Sequence, residues 1–360
     1  MKIFKKLICI LICIALLFTV ASAVTFAKGS EAADSSTYSF FDDLIGFLKS
    51  IAERVKRVLG IGYDKPDVLS YCKNAFMIPG LEEDFVPQGL CYVEKLSLYA
   101  VSGYVKGDNS RIYLVNDKTG EAKKLILKDF DLHAGGIASY NGNVYVSAGG
   151  NEKKGGHIYY INADTLSKAK DGDTVSFEGR FQVPVRASAL YASDDILIVA
   201  EFYEYKSYKT NKEHHYKSNS AWACGYKLPL NSKYKKDELL VPDVVLSIPD
   251  KVQGLSITDS GKVVFSTSYG RKNDSVFSVY APYEEWKSTT VKIGEADIPL
   301  YVAEDEVLLL KTKMPPMTEG VDFYGGSLYV LFESGAKIYS DAKVITEYVW
   351  KTDVEKMLQK

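Results

Sequence analysis

The sequence predicts an all-β fold built from repeated units, and three observations support this prediction. From about residue 70 onward, short runs rich in Tyr, Val, Ile and Phe alternate apolar and polar residues. Turn residues such as Gly, Asn and Asp separate these runs. The same order of strands and turns recurs around a small residue, at intervals of roughly 50–65 residues.

The first 27 residues have the features of a secretory signal peptide. Three lysines precede an apolar stretch over residues 7–20, and small residues follow that stretch. We expect cleavage near Ala23 or Ala27, which predicts a secreted, extracellular protein. The alternative is that the apolar stretch stays attached as an N-terminal anchor.

A different pattern lies between the signal peptide and the repeats. Residues 28–38 are small and polar, and we expect this segment to be flexible. Residues 39–62 form the next region, in which apolar residues recur at helical spacing over 39–59 before Gly60 and Gly62. The sequence therefore predicts an amphipathic helix. It could pack against its own domain, lie on a membrane surface or bind a partner protein.

Residues 70–350 are predicted to form a β-propeller. Each repeat contains a strand opened by a small residue, a tight turn, a second strand, and then a third and a fourth strand. Four-stranded units repeated at this length are typical of propellers. A small residue suits the first strand because that strand lines a crowded centre where a Cβ is costly. The aligned small residues are Gly89, Gly136, Ala189, Gly254 and Gly320.

The ends of the repeat array predict how the ring closes. The run over 75–78 has the character of a fourth strand and is expected to complete the last repeat. The third strand of that repeat is predicted at 337–339, and residues 344–350 could add to the closure. Five blades are predicted. Six is the alternative, if residues 289–302 form a further short blade instead of an insertion.

One end of the predicted propeller is the candidate binding face. The turns between first and second strands are tight, whereas the connections between second and third strands are long and varied. Variable loops on a rigid scaffold commonly carry binding residues. The ligand-binding candidates on this face are Gln88, His133, Arg186, Tyr203, Gln253, Tyr269 and Arg271.

Three glutamates, Glu201, Glu319 and Glu333, are the catalytic candidates on the same face. They are expected to converge at the channel mouth because cross-strand neighbours share a face. Converging carboxylates could act as acid and base in glycoside hydrolysis or bind Ca²⁺. They could equally satisfy strand-end amides. No other cofactor is predicted.

Counting back from the hairpin turns gives the expected cross-strand pairs. The expected pairs are Thr318 with Glu333, Glu319 with Phe332, Ala187 with Glu201, and Gln253 with Ser268.

The remaining polar features are less specific. The insertion 203–222 mixes tyrosines with lysines and could bind a sugar or a partner, or be a solvated loop. Adjacent Glu213, His214 and His215 fit a single metal ion poorly, so no metal site is predicted. The net charge of −2 lacks the strong basic excess that is typical of nucleic-acid-binding proteins, so no nucleic-acid partner is predicted. The cysteines after the signal peptide could include a Cys72–Cys91 bridge or be small buried apolar residues.

The strings VQGLSI…VVFSTSYGR and MPPMTEGV…GGSLYVLFESGAKIY resemble an uncharacterised family of secreted bacterial β-propeller proteins. The likeness covers roughly Asp84–Ser340 and implies fold and export, but no substrate. The chain is more distantly similar to lactonase-like and virginiamycin-B-lyase-like propellers, without the metal-binding His and Glu of the lyase. We therefore expect an exported propeller that binds a small molecule, glycan or protein on its variable-loop face. The alternative is a glycan-active hydrolase or lyase.

Overall fold

The computed structural model describes residues 35–359 apart from 194 and 231–238, without side chains for 35–42, 67 and 68. The predicted signal peptide over 1–27 lies outside the described residues. About 50% of the residues lie in strands and 15% in helices, so the fold is mostly β. The chain forms two units. One contains Met1–Tyr63 with Lys343–Ile345, and the other contains Asp64–Ala342 with Thr346–Lys360.

The first unit is built on helix α1 (Ser35–Val58). The helix begins inside the segment 28–38 that composition predicts to be flexible, so that boundary is wrong for residues 35–38. It ends where expected, because Gly60 and Gly62 adopt positive φ angles of 63° and 80°. Within the described ranges, no helix is both long enough and apolar enough to cross a bilayer.

The second unit contains the strands and two short helices. The strands are β1 (Lys73–Met77), β2 (Phe85–Val93), β3 (Leu98–Val105), β4 (Asp108–Val115), β5 (Ala122–Leu127), β6 (Ile137–Tyr140), β7 (Asn143–Asn151), β8 (Gly155–Asn162), β9 (Thr174–Val175), β10 (Gly179–Val183), β11 (Ala187–Ala192), β12 (Ile196–Glu201), β13 (Ala221–Lys227), β14 (Val244–Ile248), β15 (Val252–Ile257), β16 (Lys262–Thr267), β17 (Ser275–Pro282), β18 (Lys287–Ile293), β19 (Ala296–Val302), β20 (Leu308–Met314), β21 (Thr318–Tyr324), β22 (Ser327–Phe332) and β23 (Tyr348–Thr352). The helices are α2 (Ala163–Lys168) and α3 (Val354–Leu358).

Five strands, which we call the inner strands, begin the five four-stranded antiparallel runs of this unit. The runs are β2-β3-β4-β5, β6-β7-β8-β10, β11-β12-β13-β14, β15-β16-β17-β20 and β21-β22-β23-β1. The inner strands β2, β6, β11, β15 and β21 contact one another in this cyclic order, and β21 contacts β2. The predicted strand positions are therefore confirmed for all five first strands and all five second strands.

The last run joins the two ends of the unit. The N-terminal strand β1 pairs with β23, as Phe76 with Val349, so the prediction that it completes the last repeat is confirmed. The predicted third strand at 337–339 is wrong, because Lys337–Tyr339 forms a 3-10 helix. The later strand β23 is better suited to pair with β22, since Val349 is buried and Trp350 packs on Phe332 at 4.8 Å between ring centroids.

Residues 287–302 extend an existing sheet. The hairpin β18–β19 pairs in parallel with β14, through Leu246 and Tyr301 for example. It adds two outer strands to the run that begins with β11. The segment 289–302 therefore does not have a four-stranded sheet of its own.

The cores lie between neighbouring runs. One buried cluster combines Leu114 and Leu125 of the first run with Val144 and Ile161 of the second. Two further clusters join the second run to the third and the third to the fourth. At these three interfaces the apolar face of one run is covered by the next run, which is the physical reason for the repeat.

The small residues permit close approach of the inner strands. A Cβ on Gly254 would lie 2.7 Å from the Glu319 carbonyl oxygen and 2.7 Å from the Val321 nitrogen. A Cβ on Gly320 would lie 2.8 Å from the Leu90 nitrogen. The predicted crowding is confirmed at these positions.

Serines on three second strands donate hydrogen bonds to the next run, at or just before its inner strand. Ser102 Oγ donates to the Ala134 carbonyl at 2.9 Å. Ser147 Oγ donates to the Ser188 carbonyl at 3.1 Å, and Ser266 Oγ donates to that of Glu319 at 2.6 Å. Because these bonds cross between runs, they fix the relative positions of neighbouring inner strands.

The three described cysteines are free thiols. Cys91 and Cys224 are buried in the cores between runs, so they act as small apolar residues. Burial raises the pKa of the Cys72 thiol to about 11 and raises those of the other two as well. The Cys72–Cys91 bridge is not formed.

Candidate functional site

A β-bulge directs polar side chains to one end of the inner strands. The register shifts between Pro87 and Gly89, which leaves Gln88 without a cross-strand partner. The same shift affects Gln253, which lies between Val252 and Gly254. Bulges re-aim side chains in this way and are common beside functional sites.

The bulges also correct the predicted cross-strand pairs. Ala187 lies opposite Glu201 as expected, because that bulge comes after the pair. Thr318 pairs with Phe332 and not with Glu333, since the register shifts between Thr318 and Val321. The expected pair of Gln253 with Ser268 is also wrong, because Gln253 is the bulged residue.

A cavity of about 370 Å³, which we call the front cavity, lies at this end of the inner strands. Six of the seven ligand-binding candidates line it, namely Gln88, His133, Arg186, Gln253, Tyr269 and Arg271. The wall also contains the aromatic residues Tyr104, Phe202, Tyr208 and Tyr339, together with Glu333. The cavity thus combines aromatic rings with amides, guanidinium groups and a carboxyl group.

Arg186 is a cationic residue of the cavity wall whose side chain has no carboxylate as an ion-pair partner in the described chain. Its guanidinium lies over the Tyr208 ring, 4.9 Å from the centroid. No carboxylate of the described chain forms an ion pair with it. Arg271, in contrast, pairs with Asp341 at 2.9 Å and lies 4.8 Å from the Tyr339 ring centroid. The Arg186 charge is therefore available to an anionic group in the cavity.

His133 is a neutral wall residue. Its ring stacks on Tyr104 at 4.4 Å between centroids. Loss of hydration and the nearby Arg186 charge lower the pKa of the imidazole to about 4. At neutral pH it therefore offers hydrogen-bonding nitrogens without a charge.

Glu319 and Glu333 form a hydrogen-bonded carboxyl pair. Gln253 Nε2 donates to Glu319 Oε1 at 3.0 Å, and Gln88 Nε2 donates to Glu333 Oε2 at 2.9 Å. Burial raises the pKa of Glu333 to about 7, and burial with the neighbouring carboxyl raises the pKa of Glu319 well above its usual range. Two carboxyl groups in direct contact share a proton, because both cannot be ionised there.

Glu201 is not part of the front cavity. It is 1% exposed, and its Oε1 lies 2.7 Å from His214 Nδ1 and accepts from the Trp222 amide at 2.9 Å. Its Oε2 accepts from the Arg186 amide at 3.3 Å. The predicted convergence of three glutamates is therefore wrong for Glu201, because the insertion supplies partners that cover it.

The insertion 203–222 is folded against the β-structure. His214 is buried and stacks on Trp222 at 4.0 Å between ring centroids. Buried Asn219 donates to the carbonyls of Ser247 and Ala303, both at 3.1 Å. The insertion is thus not a solvated loop, and it brings Tyr208 to the cavity. Tyr203 does not line the cavity and packs on His215.

The sequence prediction missed a second cavity. It measures about 410 Å³ and is lined by residues that follow the small residues on the inner strands, including Tyr92, Tyr140, Tyr191 and Asp322. We call it the rear cavity. The small residues themselves line a space of only about 10 Å³ between the two cavities. The strings QGLCYV and EGVDFY carry the corresponding sequence signal, because each places an aromatic residue three residues after its small residue, at the end that has the tight turns.

No group of three or more His, Cys, Asp or Glu side chains among the described residues is arranged to hold a metal ion. The adjacent residues Glu213, His214 and His215 have different surroundings. His214 bonds to Glu201, His215 Nε2 lies 3.1 Å from the Thr210 hydroxyl, and Glu213 is exposed.

Comparison with known proteins adds little to this geometry. No family model and no curated protein matches the chain. Among solved structures, Kuenenia stuttgartiensis hydrazine synthase aligns with 8% identity and a TM-score of 0.38, covering 75% of this chain and 57% of the other. The computationally designed Ika4 protein aligns with 10% identity and a TM-score of 0.28, covering 59% and 92%. The designed Ika8 protein aligns with 10% identity and a TM-score of 0.30, covering 72% and 71%.

Proposed function

We propose that this chain is an exported five-bladed β-propeller that binds a small molecule carrying an anionic group in its front cavity. One observation carries the proposal. The guanidinium of Arg186 faces a cavity walled by aromatic rings and has no carboxylate partner in the described chain. A concave site with aromatic walls and a few convergent polar groups is typical of small-molecule binding.

The ring architecture in this proposal is supported by the contacts between inner strands. Five strands in cyclic contact, each opening a four-stranded run, match the construction of a propeller. Export rests on the signal-peptide pattern of residues 1–27 and on the resemblance to secreted propellers. Contact of helix α1 with a membrane surface or a partner protein stays a prediction.

The carboxyl pair also favours an anionic ligand. A shared proton between Glu319 and Glu333 removes one negative charge from the site. Gln88 and Gln253 line the cavity, and each donates to one member of the pair, which fixes the carboxyl groups beside them. The front cavity therefore keeps the attraction of Arg186 for an anion.

The alternative function is that of a glycan-active hydrolase or lyase in which Glu333 donates a proton. The raised pKa of Glu333, about 7, favours this role. Glycosidases separate their two carboxyl groups by about 5–9.5 Å, to admit the sugar or a water molecule. Glu319 and Glu333 instead hydrogen-bond directly to each other. Binding is therefore the preferred function. Release of product from chromogenic glycosides, abolished in Glu333→Gln, would favour the alternative.

The test is a binding screen of the chain from residue 28 onward. Small carboxylates, phosphate esters and acidic and neutral oligosaccharides are screened by thermal shift, and hits are measured by calorimetry. Arg186→Met keeps an apolar stem on Tyr208 and removes the charge. We expect it to weaken binding of an anionic hit about tenfold or more.

The matched control is Lys209→Met, which removes an exposed cation that lies next to Tyr208 in the insertion 203–222 and does not line the cavity. It should leave the affinity unchanged. Hits that are all neutral, or anions that bind Arg186→Met as well as the parent chain, would contradict the proposal.

A further inference from the structure

The rear cavity has the opposite chemistry to the front cavity. Its walls include five aromatic side chains, Tyr92, Tyr140, Tyr191, Phe323 and Tyr324. Tyr92 and Tyr324 stack at 3.7 Å between ring centroids, and Tyr324 is 38% exposed at the rim. Aromatic faces carry partial negative charge and attract cations.

A carboxyl group lies among these rings. Asp322 Oδ2 accepts a hydrogen bond from the Tyr92 amide at 2.8 Å. No cationic side chain of the described residues forms an ion pair with Asp322. Burial raises the pKa of this carboxyl to about 7, since desolvation disfavours its ionised form. A cation entering the cavity would supply the missing counter-charge.

The charges at the rim are consistent with a cationic occupant. Lys95 is the cation that lines the cavity, and it is engaged with Asp164 at 2.7 Å. Glu94 also lines the cavity. Burial is the main cause that raises the pKa of Tyr191 to about 12, and the charges of Asp322, Asp195 and Asp259 raise it further. The field at this end of the inner strands is therefore acidic.

We propose that the rear cavity is a second binding site, which takes a small organic cation such as an alkylated ammonium. Asp322 is its counter-charge, and the tyrosines form an aromatic cage around the alkyl groups. This combination of a carboxylate with aromatic faces is the arrangement that recognises alkylammonium ions. The site is separate from the front cavity, because the small residues of the inner strands close the space between them.

The test compares two probes of nearly equal shape. Choline is titrated by calorimetry, and its neutral isostere 3,3-dimethyl-1-butanol serves as the uncharged control. We expect choline to bind at least tenfold more tightly than the alcohol at pH 8, where Asp322 is ionised. Equal affinities, or no choline binding at millimolar concentration, would overturn the proposal.

Variants locate the probe. Asp322→Asn keeps an oxygen to accept from the Tyr92 amide and is expected to reduce choline affinity about tenfold or more. Tyr324→Ala, at the exposed rim, tests the cage independently if the first variant folds poorly, and should reduce affinity several-fold. Glu333→Gln, in the front cavity, should leave choline binding unchanged. Choline binding that survives both rear-cavity variants, or that depends on Glu333, would overturn the assignment.

Discussion

The position before each small residue decides what the inner strands present to the front cavity. Gln88, Ser188 and Gln253 occupy this position and line the cavity, and Glu319 bonds to Gln253. The bulge turns these side chains away from the alternation of the strand. In each bulged strand, one extra residue thus turns a polar side chain toward the front cavity or its neighbours.

Gly254 gives a residue-scale prediction about stability. Because its Cβ would meet backbone atoms of the next inner strand, the neighbours cannot move away cheaply. We expect Gly254→Ala to lower the free energy of unfolding by about 1–3 kcal/mol, measured by chemical denaturation.

The control for Gly254→Ala is a glycine with open space. Gly46 lies within α1, and no heavy atom lies within 4 Å of an added Cβ. Gly46→Ala should stabilise the helix by up to about 1 kcal/mol. Equal effects of the two substitutions would show that the inner strands are not tightly packed.

Asp322 gives a prediction about pH. Burial raises its pKa from an ordinary 3.8 to about 7, so between these values the folded state holds a proton that the unfolded state has released. This contribution to stability is full below about pH 4 and is lost as the pH rises to about 7. We expect Asp322→Asn to gain stability relative to the parent chain across this window, by at most about 4 kcal/mol.

The measurement is the unfolding midpoint in denaturant from pH 4.5 to pH 8 for both proteins. The difference between the two should grow with pH and level off above about pH 7. A constant difference would mean that the Asp322 carboxyl is ionised throughout and well solvated.

At the scale of elements, the insertion 203–222 is the largest departure from the repeat. It connects β12 to β13 and is held by buried polar contacts. Glu201 is the centre of these contacts, since its carboxylate accepts from the Trp222 and Arg186 amides and pairs with His214. Glu201, a catalytic candidate from the sequence, therefore has a structural role, because it holds the insertion 203–222 against the β-structure.

Removing the Glu201 carboxylate should loosen the insertion. Glu201→Ala leaves several buried donors without an acceptor, so we expect a loss of about 3 kcal/mol or more in unfolding free energy. Limited trypsin digestion should then cut sooner at Lys206, Lys209 and Lys212 than in the parent chain.

Glu213→Ala provides the comparison, because Glu213 is an exposed carboxylate of the same insertion. Its digestion pattern and stability should match those of the parent chain. If Glu201→Ala behaves like this control, the contacts of Glu201 do not hold the insertion.

At the scale of the whole second unit, its two ends meet in one sheet. The strand β1 lies beside β23, so the run that begins with β21 takes strands from both ends of the repeat array. Each inner strand also contacts two other inner strands. The stability of the unit should therefore depend on the first strand of the array as much as on any central strand.

Adjacent residues of β1 test this closure. Phe76 is 4% exposed and packs on Tyr99 at 5.1 Å between ring centroids, whereas Met77 is 43% exposed. We expect Phe76→Ala to cost about 3–5 kcal/mol in the free energy of unfolding. Met77→Ala should cost less than about 1 kcal/mol. Similar small effects of both, measured by denaturation, would mean that β1 does not contribute to the fold of the unit.

The order of strands could be predicted from the sequence because alternation, turn residues and the repeat are local signals. The strand over 337–339 was the exception, since the three residues Lys-Ile-Tyr are too few to show alternation and the connection to β23 is longer than expected. Six of the seven ligand-binding candidates line one cavity, because the end of a strand follows directly from its position in the repeat.

The sequence by itself determined which residues begin each repeat and which end of the strands carries the long loops. Only the tertiary structure decided how those residues are used. The bulges shifted the register, the insertion covered Glu201, and the approach of β15 to β21 brought Gln253 to the Glu319–Glu333 pair. The physical reason is that strand patterns depend on neighbours in sequence. Burial, proton sharing and cavity shape depend on groups brought together from distant parts of the chain.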